Sequence, residues 1–344
     1  MWIEDSIVAH NTCRGNNIPA GPHAGDGAGI WSDGKLTIVD TSIHDNYTAY
    51  ASNEQNGGDG GGIFIASGSG TVTITNSTIT YNTAGSSSAP ATAGNGGRGG
   101  GIFNTGEDTH LESSVVYQNF AGQAHSTTGN GGDGGGIYNY QGTLTITNST
   151  LYFNATGLSE FATSGSGAGL ANNGGEVNLH ESTVAFNRIE VGVSYGSGSG
   201  IDSSADNTTT ILHNTLVSWN ARYNAPPEDY YTDCHTGEAE SNVFEVRYSL
   251  IHTISGCSLD VNESNLIGVS PSLGTFGYHG GPTQTIPLRS GSQGIDDGDP
   301  ADCPATDQRG WYRPLDGDNN GTATCDIGAY EYSHLFGFLP LIMK

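Results

Sequence analysis

Apolar residues in this chain stand at fixed offsets from a recurring asparagine. Counting back from Asn46, Asn82, Asn119, Asn154, Asn187 and Asn220, an aliphatic residue lies three places earlier: Ile43, Ile79, Val116, Leu151, Val184 and Val217. Another lies eight places earlier: Ile38, Ile74, Leu111, Ile146, Leu179 and Leu212. Ten places earlier, Leu36, Val72, Leu144 and Val177 are apolar, whereas Thr109 and Thr210 are not. Thr, Asn, His and Glu fill the positions between. Alternation of this kind in β-branched residues predicts short strands with one buried face. No segment sustains a helical period of 3.6.

The asparagines, starting at Asn11, are separated by steps of 35, 36, 37, 35, 33 and 33 residues. A period of that size means stacked units, each too thin to bury its own apolar face. A Gly-x-Gly head precedes Ile30, Ile63, Ile102, Ile137, Leu170 and Ile201. Together these features predict an all-β fold, a right-handed parallel β-helix whose coils pair at about 4.8 Å. A β-propeller, the structural rival, needs longer blades of about 40–45 residues. Two polar columns mark corners. One is the closing Asn, expected to adopt the left-handed region and to stack its amide in a ladder. The other lies six places earlier: Asp5, Asp40, Asn76, Ser113, Asn148, Glu181 and Asn214. The Gly-x-Gly head fits a third corner. Stretches such as Thr83–Arg98, Phe120–Asp133 and Ala155–Ser166 remain as inserts on one face, either solvated loops or the binding face of the solenoid. The Asn-x-Ser/Thr sequons at Asn46, Asn76, Asn148, Asn154, Asn207 and Asn262 mostly arise from the repeat itself.

The 344 residues include 54 Gly and are only 34% hydrophobic, a deficit that a narrow tube tolerates better than a globule. Ten basic against 35 acidic residues give a net charge of -25, which disfavours nucleic acid and anionic lipid as partners. Cys234 with Cys257, and Cys303 with Cys325, have spacings that suit loop-closing disulfides and an oxidising compartment, leaving Cys13 over. No signal peptide is visible. The start lies inside a repeat, so upstream coils are expected, and an open end would allow self-association. The repeats occupy residues 1–220, irregular final coils 221–279, with a loop at Pro226–Tyr231, a terminal module 280–334, and an apolar tail 335–344 too short to span a bilayer.

The terminal module carries four blocks in order: Gly280-Gly281-Pro282-Thr283, Ile295-Asp296-Asp297-Gly298-Asp299, Asp307-Gln308-Arg309-Gly310 and Asp326-Ile327-Gly328-Ala329-Tyr330-Glu331. From about Gly280 to Glu331 it resembles the C-terminal module of bacterial choice-of-anchor Q proteins. The repeats upstream are similar to those of pectin-lyase-like folds. The resemblance implies secretion, surface display and a solenoid; the family's biochemical activity is undefined.

Several groups offer chemistry. Asp316-x-Asp318-x-Asn320-Gly321 opens like a calcium loop, with Asp326 or Glu331 as further ligands, so calcium is the expected cofactor. Arg309 and Arg313 point to a buried clasp with nearby aspartates, and Trp311 with Tyr312 to a sugar-stacking pair. Asp296–Asp297 is the strand-adjacent carboxylate pair, read as a turn. On the outward strand face stand His110 with Glu112, His180 with Glu181, and His213, a strip open to metal or catalysis. No catalytic residue is assigned. The sequence thus predicts a secreted or cell-surface β-helix, non-enzymatic, presenting loops for adhesion or polysaccharide binding. The alternatives are a polysaccharide lyase or glycoside hydrolase, and a structural spacer or filament subunit.

Overall fold

A computed structural model of the chain describes residues 1–13, 25–51, 56–87, 94–223 and 230–334. Pro226–Asp229 of the expected loop and the tail 335–344 lie outside them. The described residues form a parallel β-solenoid without an α-helix, so none is long and apolar enough to cross a membrane. In the coil that closes at Asn154 the strands are Ile137–Tyr140, Thr143–Thr147 and Thr150–Tyr152. Each stacks in register on its counterparts, Ile137 between Ile102 and Leu170, and Ile146 between Leu111 and Leu179. Three sheets result: sheet 1 with nine strands, through Thr143–Thr147; sheet 2 with nine, through Thr150–Tyr152; sheet 3 with seven, through Ile137–Tyr140. The counted aliphatic columns point inward and form one core from Ile30 to Ile251. Each such side chain, fully buried, contributes roughly 1.5–3 kcal/mol.

The corner between sheets 1 and 2 is as expected: Asp40, Asn76, Ser113, Asn148, Glu181 and Asn214 all have φ between 42° and 49°. Tyr248 repeats it and splits the stretch 244–251 into the strands Val243–Arg247 and Leu250–Ile251. The corner after sheet 2 differs from expectation. Its left-handed residue is the one before the closing asparagine, Asp45, Tyr81, Gln118, Phe153, Phe186 and Trp219, with φ from 52° to 61°. The asparagine itself points inward. Asn119 Oδ1 accepts from the backbone N and the Nδ2 of Asn82, each at 3.0 Å, while its own Nδ2 donates to Ile79 O at 2.9 Å and Asn154 Oδ1 at 3.0 Å. Asparagine is selected there because its amide both donates and accepts where no water reaches; its neighbour carries the backbone strain.

The two threonines that break the inward column are also accounted for. Sheet 3 carries buried Asn104, Asn139 and Asn172, linked Nδ2 to Oδ1 at 2.7 and 3.0 Å. Thr109 Oγ1 donates to Asn104 Oδ1 at 2.9 Å, and Thr210 Oγ1 accepts from Asn172 Nδ2 at 3.0 Å. A second polar ladder inside the tube therefore demands a hydroxyl across from each of its ends.

The described parts of the inserts form a second lobe beside the main tube. Its buried column Ala51, Ser87, Ala124, Ser159 pairs coil to coil in parallel. A neck of glycines joins lobe to tube. Gly85 N donates to Gly58 O, Gly97 N to Gly85 O, Gly122 N to Gly97 O, Gly132 N to Gly122 O, Gly157 N to Gly132 O and Gly165 N to Gly157 O, at 2.7–3.0 Å. The chain leaves the tube through Gly85, Gly122 and Gly157 and returns through Gly97, Gly132 and Gly165, so this seam pinches each coil into a figure of eight. Only glycine fits: a Cβ on Gly122 would stand 1.8 Å from Gly85 O.

At the C-terminal end, Cys234–Cys257 ties the last strand of sheet 3 to a short return, where Cys257 and Leu259 pack on the core. The chain then doubles back along the corner between sheets 1 and 2. Thr283 Oγ1 donates to Ser113 O, Gln308 Oε1 accepts from Thr150 Oγ1, Ala329 N donates to Thr183 Oγ1 and Gly328 N to Asn214 O. Phe276 stacks on Tyr152 at 4.1 Å, and Leu288, Ile295 and Ile327 form a small core with Leu216 and Leu250. Cys303–Cys325 closes this segment. The module thus straps four coils side-on.

Candidate functional site

The lobe creates a groove on each side of its neck, both parallel to the solenoid axis. The larger, about 880 Å³, lies between the lobe and the short face that follows the closing asparagines. Its floor is the column Thr12, Tyr47, Thr83, Phe120, Ala155 and Arg188, paired coil to coil. Five steps of about 4.8 Å make this column roughly 24 Å long. Tyr50, Ser86 and Gln123 of the lobe form the opposite wall. Tyr47 is 44% exposed and Tyr50 65%. At the far end Arg188 Nε donates to Glu190 Oε1 at 2.7 Å. The groove therefore combines exposed aromatic rings with hydroxyl, amide and ion-pair groups. A separate cleft of about 540 Å³ near Thr236 and Glu240 has Phe244 as its sole large aromatic, and that ring is buried.

The smaller groove, about 220 Å³, has Asp59, Arg98 and Asp133 in one column of three successive coils. Asp59 Oδ1 accepts from Arg98 N at 2.7 Å, its Oδ2 meets Arg98 Nη2 at 3.2 Å, and Asp133 Oδ1 accepts from Ser166 N at 2.7 Å. Arg98 lies over the Tyr138 ring at 4.8 Å, within a stack of Phe64, Phe103 and Tyr138. Burial pushes the Asp133 carboxyl up to about 6, against hydrogen bonding from Ser166.

The residues singled out in the sequence lie elsewhere, in and beside the terminal module. Arg309 forms the expected buried clasp: its Nε donates to Asp307 Oδ2 at 2.7 Å and its Nη2 to Glu331 O at 2.6 Å. Arg313 donates to the carbonyls of Gly328 and Asp326. Trp311 has Arg309 over one face at 4.5 Å, and Tyr312 is 79% exposed. The loop at Asp316 brings Asp316 and Asp318 together with Asp296, one carboxylate oxygen of each within 4.8 Å of the others. Asn320 turns back on the loop, donating to Asp318 and accepting from Thr322 N. Asp326 is not among the three. It is fully buried and accepts from the backbone N of Asp296 and Tyr332; burial and then the adjacent Glu331 push its carboxyl well up. Asp296 is a left-handed turn residue that accepts from Asp318 N and Thr324 N. Both disulfides have the predicted partners, and Cys13 is free.

His180 and His213 stand side by side in adjacent strands of sheet 1, where the column predicted them. Sequence reasoning missed both grooves. Their lining residues repeat every coil, but Ser, Ala and Gly in the lobe give no amphipathic signal. Comparison with protein-family models, curated proteins and solved structures returns no match for this chain.

Proposed function

We propose that the chain is an extracellular β-helix that binds a neutral polysaccharide along the 880 Å³ groove without cleaving it. The groove carries the reading: it is open, axial and several coils long, with Tyr47, Tyr50 and Phe120 available to stack on sugar rings and Gln123 and Arg188 to meet hydroxyls. A neutral ligand is favoured because, among the described residues lining the groove, the one cation, Arg188, is paired with Glu190, and the whole chain carries -25. Two disulfides and the likeness of Gly280–Glu331 to the choice-of-anchor Q module support surface display.

One observation favours the enzyme reading. Asp59 and Asp133 flank Arg98 two coils apart, about 9.6 Å, at the outer limit for carboxyls that work through a water. Against it, Asp59 has both oxygens engaged and each aspartate holds the backbone of the next coil.

The test is retention of the purified chain on neutral and acidic polysaccharides, with polymer size followed and with calcium or EDTA added. Retention on neutral polymers without shortening is expected, weakened about tenfold by Tyr50→Ala or Phe120→Ala. Shortening abolished by Asp133→Asn would establish the enzyme reading instead. Loss of retention in EDTA that calcium restores, and that Asp316→Asn reproduces, would support calcium at the Asp316 loop in the binding state. Failure on every polymer would leave the spacer.

A further inference from the structure

The strap and the solenoid meet at a set of side chains that the glycan reading leaves unused. His213 lies on sheet 1 with its side chain 12% exposed. Its Nδ1 is 3.2 Å from Asp302 Oδ2 and its Nε2 is 3.1 Å from Asp299 Oδ2. His180, one coil earlier, sets its ring 5.7 Å from that of His213, edge to face. One ligand atom each from His180, His213 and Asp302 lie within 4.8 Å of one another.

Three features distinguish this group from a chance contact. Two imidazoles and a carboxylate are the donor set of a zinc-class ion. Two ligands of a tetrahedral zinc, each about 2.0–2.1 Å from the metal, stand roughly 3.3 Å apart, close to the separation of Nδ1 and Asp302. The remaining nitrogen of His213 faces Asp299, the carboxylate partner that metal-bound histidines ordinarily keep behind them. The segment bearing both aspartates is also held in place: Asp299 N donates to Asn214 Oδ1 at 2.7 Å and Asn214 Nδ2 to Asp302 O at 2.9 Å.

We propose that His180, His213 and Asp302 bind a divalent zinc-class ion, with Asp299 orienting His213 and water completing the shell, and that the ion clamps the terminal strap to the coils. Nδ1 of His213 would turn from Asp302 to the metal, and Nε2–H would donate to Asp299. A simple ion pair of protonated His213 with the two aspartates would give the same contacts to His213 but no role to His180.

The experiment is zinc titration of the tag-free, metal-stripped full chain by calorimetry, with cobalt absorption as a second readout. Saturable binding of one ion, the visible band of tetrahedral cobalt and a raised melting temperature are expected. His180→Ala and Asp302→Asn, both at least partly exposed, should weaken binding at least tenfold while leaving the metal-free melting temperature unchanged. Asp299→Asn should weaken it by 10–100-fold. The other histidine group, His10, His44 and Asp45, serves as control, and His44→Ala should leave zinc binding unaltered. Absence of saturable binding, or binding indifferent to His180→Ala and Asp302→Asn, would overturn the proposal.

Discussion

Asp233 ends the asparagine ladder with a carboxyl group where the preceding coils use an amide. Its Oδ1 accepts from Asn220 N and Nδ2, and its Oδ2 from Thr253 N at 2.7 Å. Burial pushes this carboxyl up to about 7 despite those donors. In the unfolded chain it titrates near 3.9. Between about pH 4 and 7 the folded protein therefore holds a proton that the unfolded chain has lost, and stability falls as pH rises through that window, by a few kcal/mol at most. Asp133, raised to about 6, acts in the same direction. Urea midpoints should be higher at pH 4.5 than at pH 7.5, and Asp233→Asn should shrink the difference. An unchanged difference in that variant would place the titrating group elsewhere.

At the scale of the element, the glycine neck decides whether lobe and tube stay joined. Ala at Gly122 would bring a methyl group to 1.8 Å from the Gly85 carbonyl, a contact relieved only by breaking the seam, whereas Gly34 has nothing within 4 Å of an added Cβ. Gly122→Ala should cost several kcal/mol and raise amide exchange in the lobe residues 123–131, and Gly34→Ala should be near neutral. Equal stability of the two variants would mean that the seam contributes little. The strands and their faces were legible in the sequence because Ile38, Ile43 and their counterparts repeat in aliphatic columns. The lobe was not, because Ser87, Ala124 and Ser159 are small and its order lies in backbone hydrogen bonds, which composition does not reveal. The same holds for the corner at Phe153 and Trp219: bulky residues there contradict local preference, and only the inward pull of Asn154 and Asn220 explains them. The clasp of Arg309 and Asp307 was legible because both charges occur close together in a chain poor in basic residues.

For the whole molecule, the terminal segment acts as a strap over coils that are already complete. It gains its hold through Gln308, Thr283, Gly328 and the Leu288–Ile327 core, and Cys303–Cys325 restricts its unfolded state. Opening that disulfide should cost the strap about 3 kcal/mol, the expectation for a closed loop of about 20 residues. In Cys303→Ser with Cys325→Ser, amides of residues 280–334 should exchange faster while those around Asn119 stay protected. Loss of protection in both at once would show that strap and solenoid fold as a single unit.

The seam also separates what must be periodic from what need not be. The stretch from Asn82 to Ile102 is longer than that from Asn187 to Ile201, yet Ile102 and Ile201 occupy the same inward column of sheet 3. A change of length beyond the neck is absorbed before the chain re-enters the tube. The lobe tip is therefore a natural splice port: a foreign peptide grafted there would leave the phase of the coils intact, and grafts on successive coils would be displayed as a regular array, spaced by about 4.8 Å at their bases.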